Sequence, residues 1–234
     1  MESPFSFCLR LFRPVLAGAN IRDRLRACVG ALVGIAVTGL ICSSASSRPL
    51  LPLLVAPIGA SAVLLFALPA SPLAQPWPII GGNTISALIG ICVVQLGLAP
   101  AAAMGLAVAG AILAMSLLRC LHPPGGAAAL TAVIGGPVVS AAGWMFPITP
   151  VAINSLALVA AGYAYHRFSG HSYPHRPGPS AGHGLPTAQL HIHLDDLDRA
   201  LADFGETFDV TREDLEMLFC QMEYHAAERE RRSS

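Results

Sequence analysis

Acidic side chains are missing from most of this chain. Between Asp23 and Asp195 there is no Asp or Glu. Lysine is absent altogether, so every basic residue is Arg, and only Arg48 and Arg119 stand between Arg26 and Arg167. Charged residues make up 12% of the 234 residues, against about 25% in an ordinary soluble domain. The mean hydropathy is +0.60. These absences exclude a soluble globular domain, a carboxylate cage for a cation and a proton relay of acids. The formal net charge is zero with no basic block, so nucleic acid is not an expected partner. What remains is an almost uncharged stretch of 140 residues, 27–166. It reads as membrane-embedded, with the lipid bilayer as its surroundings.

Close cysteine pairs are missing too. Cys8, Cys28, Cys42, Cys92, Cys120 and Cys220 form no Cys-x-x-Cys, which leaves no zinc knot or redox pair. In apolar stretches they act as small hydrophobes. No signal-peptide pattern opens the chain, and no cofactor or metal is expected.

Residues 1–26 form a basic lead-in, with Phe5, Phe7, Leu9, Leu11 and Phe12 among arginines. They read either as a short interfacial segment or as a tail. The membrane domain is expected over 27–167. Its first span is 27–45, where Gly30 and Gly34 make a Gly-x-x-x-Gly face. In the run 49–68 a regular helix is expected only from about Pro57 to Leu68. A proline-rich interfacial loop follows over 69–78. Further spans are predicted at 79–97 and 101–118. After His122-Pro123-Pro124-Gly125-Gly126 a short helix is predicted over about 126–139, preceded by extended Pro-Pro-Gly-Gly backbone. Fourteen residues rise only about 21 Å, too little to cross alone. Either the segment crosses with that extension or it re-enters. Trp144 and Pro147 mark an interface, and the last span is 148–165.

Each half therefore holds a full span, a Pro/Gly-interrupted short helix and a second span carrying an Asn. The interruptions at Pro57 and Pro124 are 67 residues apart, and Asn83 and Asn154 are 71 apart. The expected fold is an all-α polytopic membrane helix bundle. It has about six membrane segments, read as two inverted three-segment repeats. Six crossings put the basic lead-in, Arg119 and Arg167 on one side and Arg48 on the other. That places both termini in the cytoplasm and the protein in the cell inner membrane, by the positive-inside rule.

Residues 168–193 are a Pro/Gly/His-rich linker with His171, His175, His183, His191 and His193. Residues 194–234 turn acidic and amphipathic. Leu194, Leu197, Leu201 and Phe204 form one stripe, and Leu215, Leu218, Phe219 and Met222 another. A short cytoplasmic helical hairpin is predicted, with Thr211 and Asp214 as a capping box. It is too small to hold a core alone and is expected to pack on the membrane domain or on a partner.

The chemistry centres on the two interruptions. Helix first turns offer unpaired N–H groups and about half a positive charge. Gly125, Gly126 and Ala127 are expected to present such groups after Pro123 and Pro124. Gly59, Ala60 and Ser61 are expected to do the same after Pro57. Asn83, Thr84, Asn154 and Ser155 add neutral donors, while Arg119 and His122 attract an anion to the mouth. With no intramembrane carboxylate, the balance favours a small anion. The competing readings stay open: a tight Pro-Pro-Gly-Gly loop, asparagines that only bridge helices, and Arg119 as a cytoplasmic anchor.

At His122-Pro123-Pro124-Gly125-Gly126 the chain resembles the HPP family of integral membrane proteins, named for that tripeptide. Ala56-Pro57-Ile58-Gly59-Ala60-Ser61-Ala62, Gly82-Asn83-Thr84-Ile85-Ser86-Ala87 and Asn154-Ser155-Leu156-Ala157 match as well. The resemblance covers roughly 22–167 and implies a multi-helix membrane domain. Plant members are linked with nitrite transport, so the resemblance implies a small inorganic anion, nitrite for example, as substrate. Many bacterial members continue into paired cytoplasmic CBS domains. The segment 194–228 looks like the one that precedes them, and this chain, which stops at Ser234, is expected to lack them.

The function expected is thus a transporter or channel for a small anion, with a homo-oligomer as one expected state. The alternative is a membrane scaffold whose hairpin recruits a partner. An enzyme is not expected, because no carboxylate is placed to orient His122 beside a nucleophile.

Overall fold

The computed structural model describes residues 21–45, 54–176, 197–199 and 210–233. The aromatic lead-in, Arg48, the prolines at 49 and 52, three linker histidines (His183, His191 and His193) and most of the first hairpin stripe lie outside the described residues. Every regular element among the described residues is helical.

Helix α1 is Ile21–Ala45. It starts earlier than the apolar run, so Arg22, Arg24 and Arg26 belong to the helix and not to a separate lead-in. Helix α2 is Pro57–Ala67, with Pro57 in its first turn as the sequence predicts. After a 3₁₀ turn at Pro72–Ala74 comes α3, Pro78–Val94, which opens with a π-type turn over Pro78–Gly82. Helix α4 is Pro100–Leu117.

Helix α5 is Pro123–Ile134. This corrects the expected 126–139. Pro-Pro-Gly-Gly is not extended but forms the first turn, because proline fixes the φ a helix start needs. The helix ends at Gly135-Gly136, where Gly136 takes φ +69°. A short α6, Gly136–Ala142, then leaves at 94° to it, so this pair is either a broken span or a re-entrant segment. Helix α7, Pro147–Ser169, again opens with a π-type turn, Pro147–Ala152. Helix α8 is Arg212–Ser233, capped by Thr211, whose Oγ1 accepts from the Asp214 N–H at 3.1 Å.

Among the described residues, three helices are long and apolar enough to cross a bilayer alone: Ile21–Ser43, Pro100–Leu117 and Pro147–Ser169. The bent α5–α6 pair makes a fourth if it is one span, and α2 and α3 are shorter apolar helices. Outward faces are apolar, as lipid contact requires: Leu32, Leu40, Leu113 and Leu117 are all exposed. Trp77 and Trp144 are exposed too, like the aromatics of an interface belt.

The halves interlock. Helix α3 packs chiefly on α4 and α5 of the second half, while α7 packs on α1 and α2 of the first. Small residues permit it. The Gly-x-x-x-Gly face of α1 seats the Phe66 ring of α2: a Cβ at Gly34 would lie 2.4 Å from it. Gly162 of α7 meets Leu65 of α2, and Gly90 of α3 meets the Ala129 carbonyl of α5. On α4, Ala103, Ala107, Ala111 and Met115 form a buried stripe at four-residue spacing.

Candidate functional site

Pro123 decides where His122 goes. A residue before proline is pushed to extended backbone, and His122 has φ −144° and ψ 108°. As the N-cap of α5 it turns its imidazole inward, where it is fully buried. Gly82 of α3 makes the room: a Cβ there would lie 2.6 Å from the His122 Cβ.

The imidazole is held at both nitrogens. Nδ1 lies 2.8 Å from the Leu73 carbonyl and Nε2 lies 2.8 Å from Ser61 Oγ. A carbonyl only accepts, so Nδ1 carries the hydrogen. In a neutral ring Nε2 then accepts, and Ser61 must donate to it. Ser61 Oγ accepts in turn from Asn83 Nδ2 at 3.0 Å, and the same amide nitrogen lies 3.3 Å from Ser155 Oγ. Ser61, Asn83, His122 and Ser155 are all fully buried. They come from α2, α3, the start of α5 and α7, so all four meet at one point inside the bundle.

Beside this chain are buried polar atoms without a partner: Asn83 Oδ1, Thr84 Oγ1 and Ser86 Oγ. Asn83 and Ser86 sit one turn apart on the same face of α3. Gly125 leaves Ser86 its space, since a Cβ there would lie 2.6 Å from Ser86 Oγ. An unmatched buried polar atom costs about 1–3 kcal/mol. Water or a ligand with hydrogen-bonding atoms offsets that cost in a membrane interior.

Two of the expected uncovered amides are corrected. Gly125 N–H donates to the His122 carbonyl at 2.8 Å, and Gly59 N–H donates to the Ala56 carbonyl at 3.0 Å. At these two positions the helix first turn closes on the chain's own carbonyls. Pro57 and Pro124 are buried beside the chain, and the Pro57 carbonyl lies 3.1 Å from Ser61 Oγ. Gly126 is half-buried, while Pro123 and Gly59 are exposed; around Gly59 nothing lies within 4 Å of a Cβ position. Arg119 is exposed and takes φ +53° at the end of α4, away from the chain. His122 is enclosed rather than at a mouth.

Asn154 has a different role from Asn83. Its Oδ1 accepts from the Val55 N–H at 3.0 Å and its Nδ2 donates to Cys42 Sγ at 3.0 Å. It ties α7 to the starts and ends of α2 and α1, which is the bridging reading.

Sequence reasoning missed Ser86, whose signal was its position one turn after Asn83. It also missed His166, buried near the end of α7, with Nε2 3.0 Å from the Leu65 carbonyl and Nδ1 2.9 Å from Ser169 Oγ. The role of the loop 71–75 went unread as well. Its Leu73 carbonyl receives His122, its Ala74 carbonyl receives the Tyr173 hydroxyl at 3.0 Å, and Gln75 Oε1 accepts from His175 N–H at 2.8 Å. Burial pushes the Tyr173 phenol well above its ordinary pKa, so it stays a donor. His175 Nε2 in turn lies 3.0 Å from Asp214 of α8. The C-terminal helix is thus tied to the membrane domain.

An all-helical bundle with apolar outer faces and a buried polar chain between Pro-led short helices defines a multi-pass membrane protein. Residues 17–174 match the family described as "HPP, transmembrane region", and the chain belongs to it. Two transmembrane proteins of Dictyostelium discoideum are similar to it. One is 32% identical over 151 residues, 62% of this chain and 53% of the relative. The other is 32% identical over 145 residues, 60% of this chain and 46% of the relative. The chain spans about half the length of the curated relatives it matches. No solved structure matches.

Proposed function

We propose that the protein passes a small inorganic anion, nitrite for example, across the bacterial inner membrane, with both termini in the cytoplasm. The observation that supports this reading is the pair of buried hydroxyls without a protein partner, Thr84 Oγ1 and Ser86 Oγ, which are free to donate to an anion beside the Asn83 carboxamide. Hydroxyls and a carboxamide serve a small ion by direct hydrogen bonds, without the cost of a fixed buried charge. The arginine distribution supports the orientation, since Arg22, Arg24, Arg26, Arg119 and Arg167 share one side in a six-segment count. The protein is not an enzyme in this reading: His122 is bonded to Ser61 and Leu73, with no carboxylate to orient it. The test is nitrite flux into liposomes carrying the full chain. Flux above protein-free vesicles is expected, and Asn83→Leu should return it to background. A full rate in that variant sinks the site.

A further inference from the structure

The hydrogen-bond chain has a direction, and the direction depends on a proton. With neutral His122, Leu73 fixes the hydrogen on Nδ1, so the single Ser61 hydrogen is committed to Nε2 at 2.8 Å. Ser61 then only accepts from Asn83, and the amide must present Oδ1, the atom with no partner. An acceptor oxygen repels an anion. When a proton binds Nε2, that nitrogen donates to Ser61 Oγ instead, and the Ser61 hydrogen is released. It has two destinations: the Pro57 carbonyl at 3.1 Å, or Asn83 after its amide turns over. The Ser155 hydroxyl, 3.3 Å from the amide, serves either orientation. Turned over, Asn83 presents Nδ2–H groups beside Ser86, and a donor now faces the ligand.

Charge points the same way. The groups recorded against His122 are Ser61 from α2, Leu73 from the preceding loop and Gly82 from α3; none is titratable. Met115 of α4 lies near Gly82 and is not titratable either, and on its own segment Cys120 is the titratable neighbour. No Asp or Glu occurs between Asp23 and Asp195. A buried imidazolium without a counter-charge is costly, and an anion beside Asn83 supplies one.

The geometry points to proton–anion coupling, with Ser61 as the positioning residue that links a proton on His122 Nε2 to an anion hydrogen-bonded by Asn83 and Ser86. The inference rests on the transport reading and adds its coupling. Proton and anion enter and leave together, so the cycle carries no net charge. Each ligand raises affinity for the other by the same factor, about tenfold within the ordinary range for coupled sites.

The test loads liposomes containing the full chain with a pH-sensitive dye and adds external nitrite. Protein-free vesicles correct for passive leak of nitrous acid. An inward proton gradient should stimulate protein-dependent nitrite uptake about tenfold. One proton should enter per nitrite, and an imposed membrane potential should have no effect. In Ser61→Ala, the nitrite uptake that remains should show no gradient stimulation and bring in no proton. Nitrite uptake that is indifferent to the gradient and brings no proton overturns the coupling while leaving transport intact. No uptake above protein-free vesicles at any pH overturns the transport reading and this inference with it. The wild-type arms decide both points, even where the Ser61 variant does not fold.

Discussion

Asn83 and Asn154 occupy matching places in the two halves, each just after the π-type turn that opens its helix, yet they end in opposite conditions. Asn154 Oδ1 accepts from Val55 N–H at 3.0 Å, whereas Asn83 Oδ1 is buried with no partner. One amide holds the fold and the other faces outward from its own network. π-type turns recur at functional sites, and in the proposed reading the copy left unmatched is the one that serves the anion.

That difference separates their variants. Asn154→Ala strands the buried Val55 N–H and should cost about 1–3 kcal/mol of stability. Asn83→Ala removes an unmatched atom along with its bonds and should cost less than that, while abolishing anion flux. Thermal unfolding in detergent, set beside liposome flux, checks both. Equal stability losses would argue against the assignment.

Helix contact between the halves depends on Gly90. A Cβ there would lie 2.5 Å from the Ala129 carbonyl and 2.6 Å from the Ala132 Cβ. Both atoms are rigidly held, so Gly90→Ala should destabilise by about 1–3 kcal/mol through overpacking. Gly105→Ala on α4 meets nothing within 4 Å. It should stabilise by up to about 1 kcal/mol, through helix propensity alone. Paired melting curves of the two variants read the difference.

Arg119 sits in left-handed backbone, φ +53°, outside the buried chain. A side chain there costs about 1–2 kcal/mol, which glycine does not incur. Arg119→Gly should therefore raise the melting temperature and leave nitrite flux unchanged. A collapse of flux would show that the arginine feeds the site after all.

The tie between α8 and the membrane domain should depend on acid. Burial alone would raise the Asp214 carboxyl, but hydrogen bonds from Thr211 and His175 outweigh it and hold the group below its ordinary value. A depressed folded pKa stabilises at pH above the unfolded value of about 3.9, and the contribution fades as pH falls through the folded value. Amide protection over 212–226, measured relative to the intrinsic exchange rate at each pH, should therefore be high at neutral pH and fall below about pH 4. Asp214→Asn should show the lower protection already at pH 7.

Much of the membrane domain was legible because its signals are cheap to read. Missing charge located the embedded block, proline placed the start of α2 at Pro57, and the apolar run 101–118 fell within one residue of α4, Pro100–Leu117. The Gly30 and Gly34 face did mark a close helix contact, with Phe66. The site was legible in its members and not in its chemistry. His122, Ser61 and Asn83 were singled out, but as neighbours of free backbone amides. Local i to i−3 bonds took up two of those amides, at Gly59 and Gly125, which spacing cannot foresee. Ser86 and the Leu73 carbonyl entered through tertiary contacts from other segments. The 71–75 loop looked like interfacial punctuation because its role lies in carbonyl directions, which no residue type encodes.

The exchange of α3 and α7 between halves constrains how the protein is made. When Val94 has just left the ribosome, the surface of α3 that carries Ala87, Gly90 and Ile91 has nothing to rest on, since its partners have yet to be synthesised. The first three segments cannot mature as an independent unit, and Asn83 meets Ser155 only after nearly the whole membrane domain has been inserted. Separately expressed halves should each be degraded, and only co-production of both should restore a stable protein.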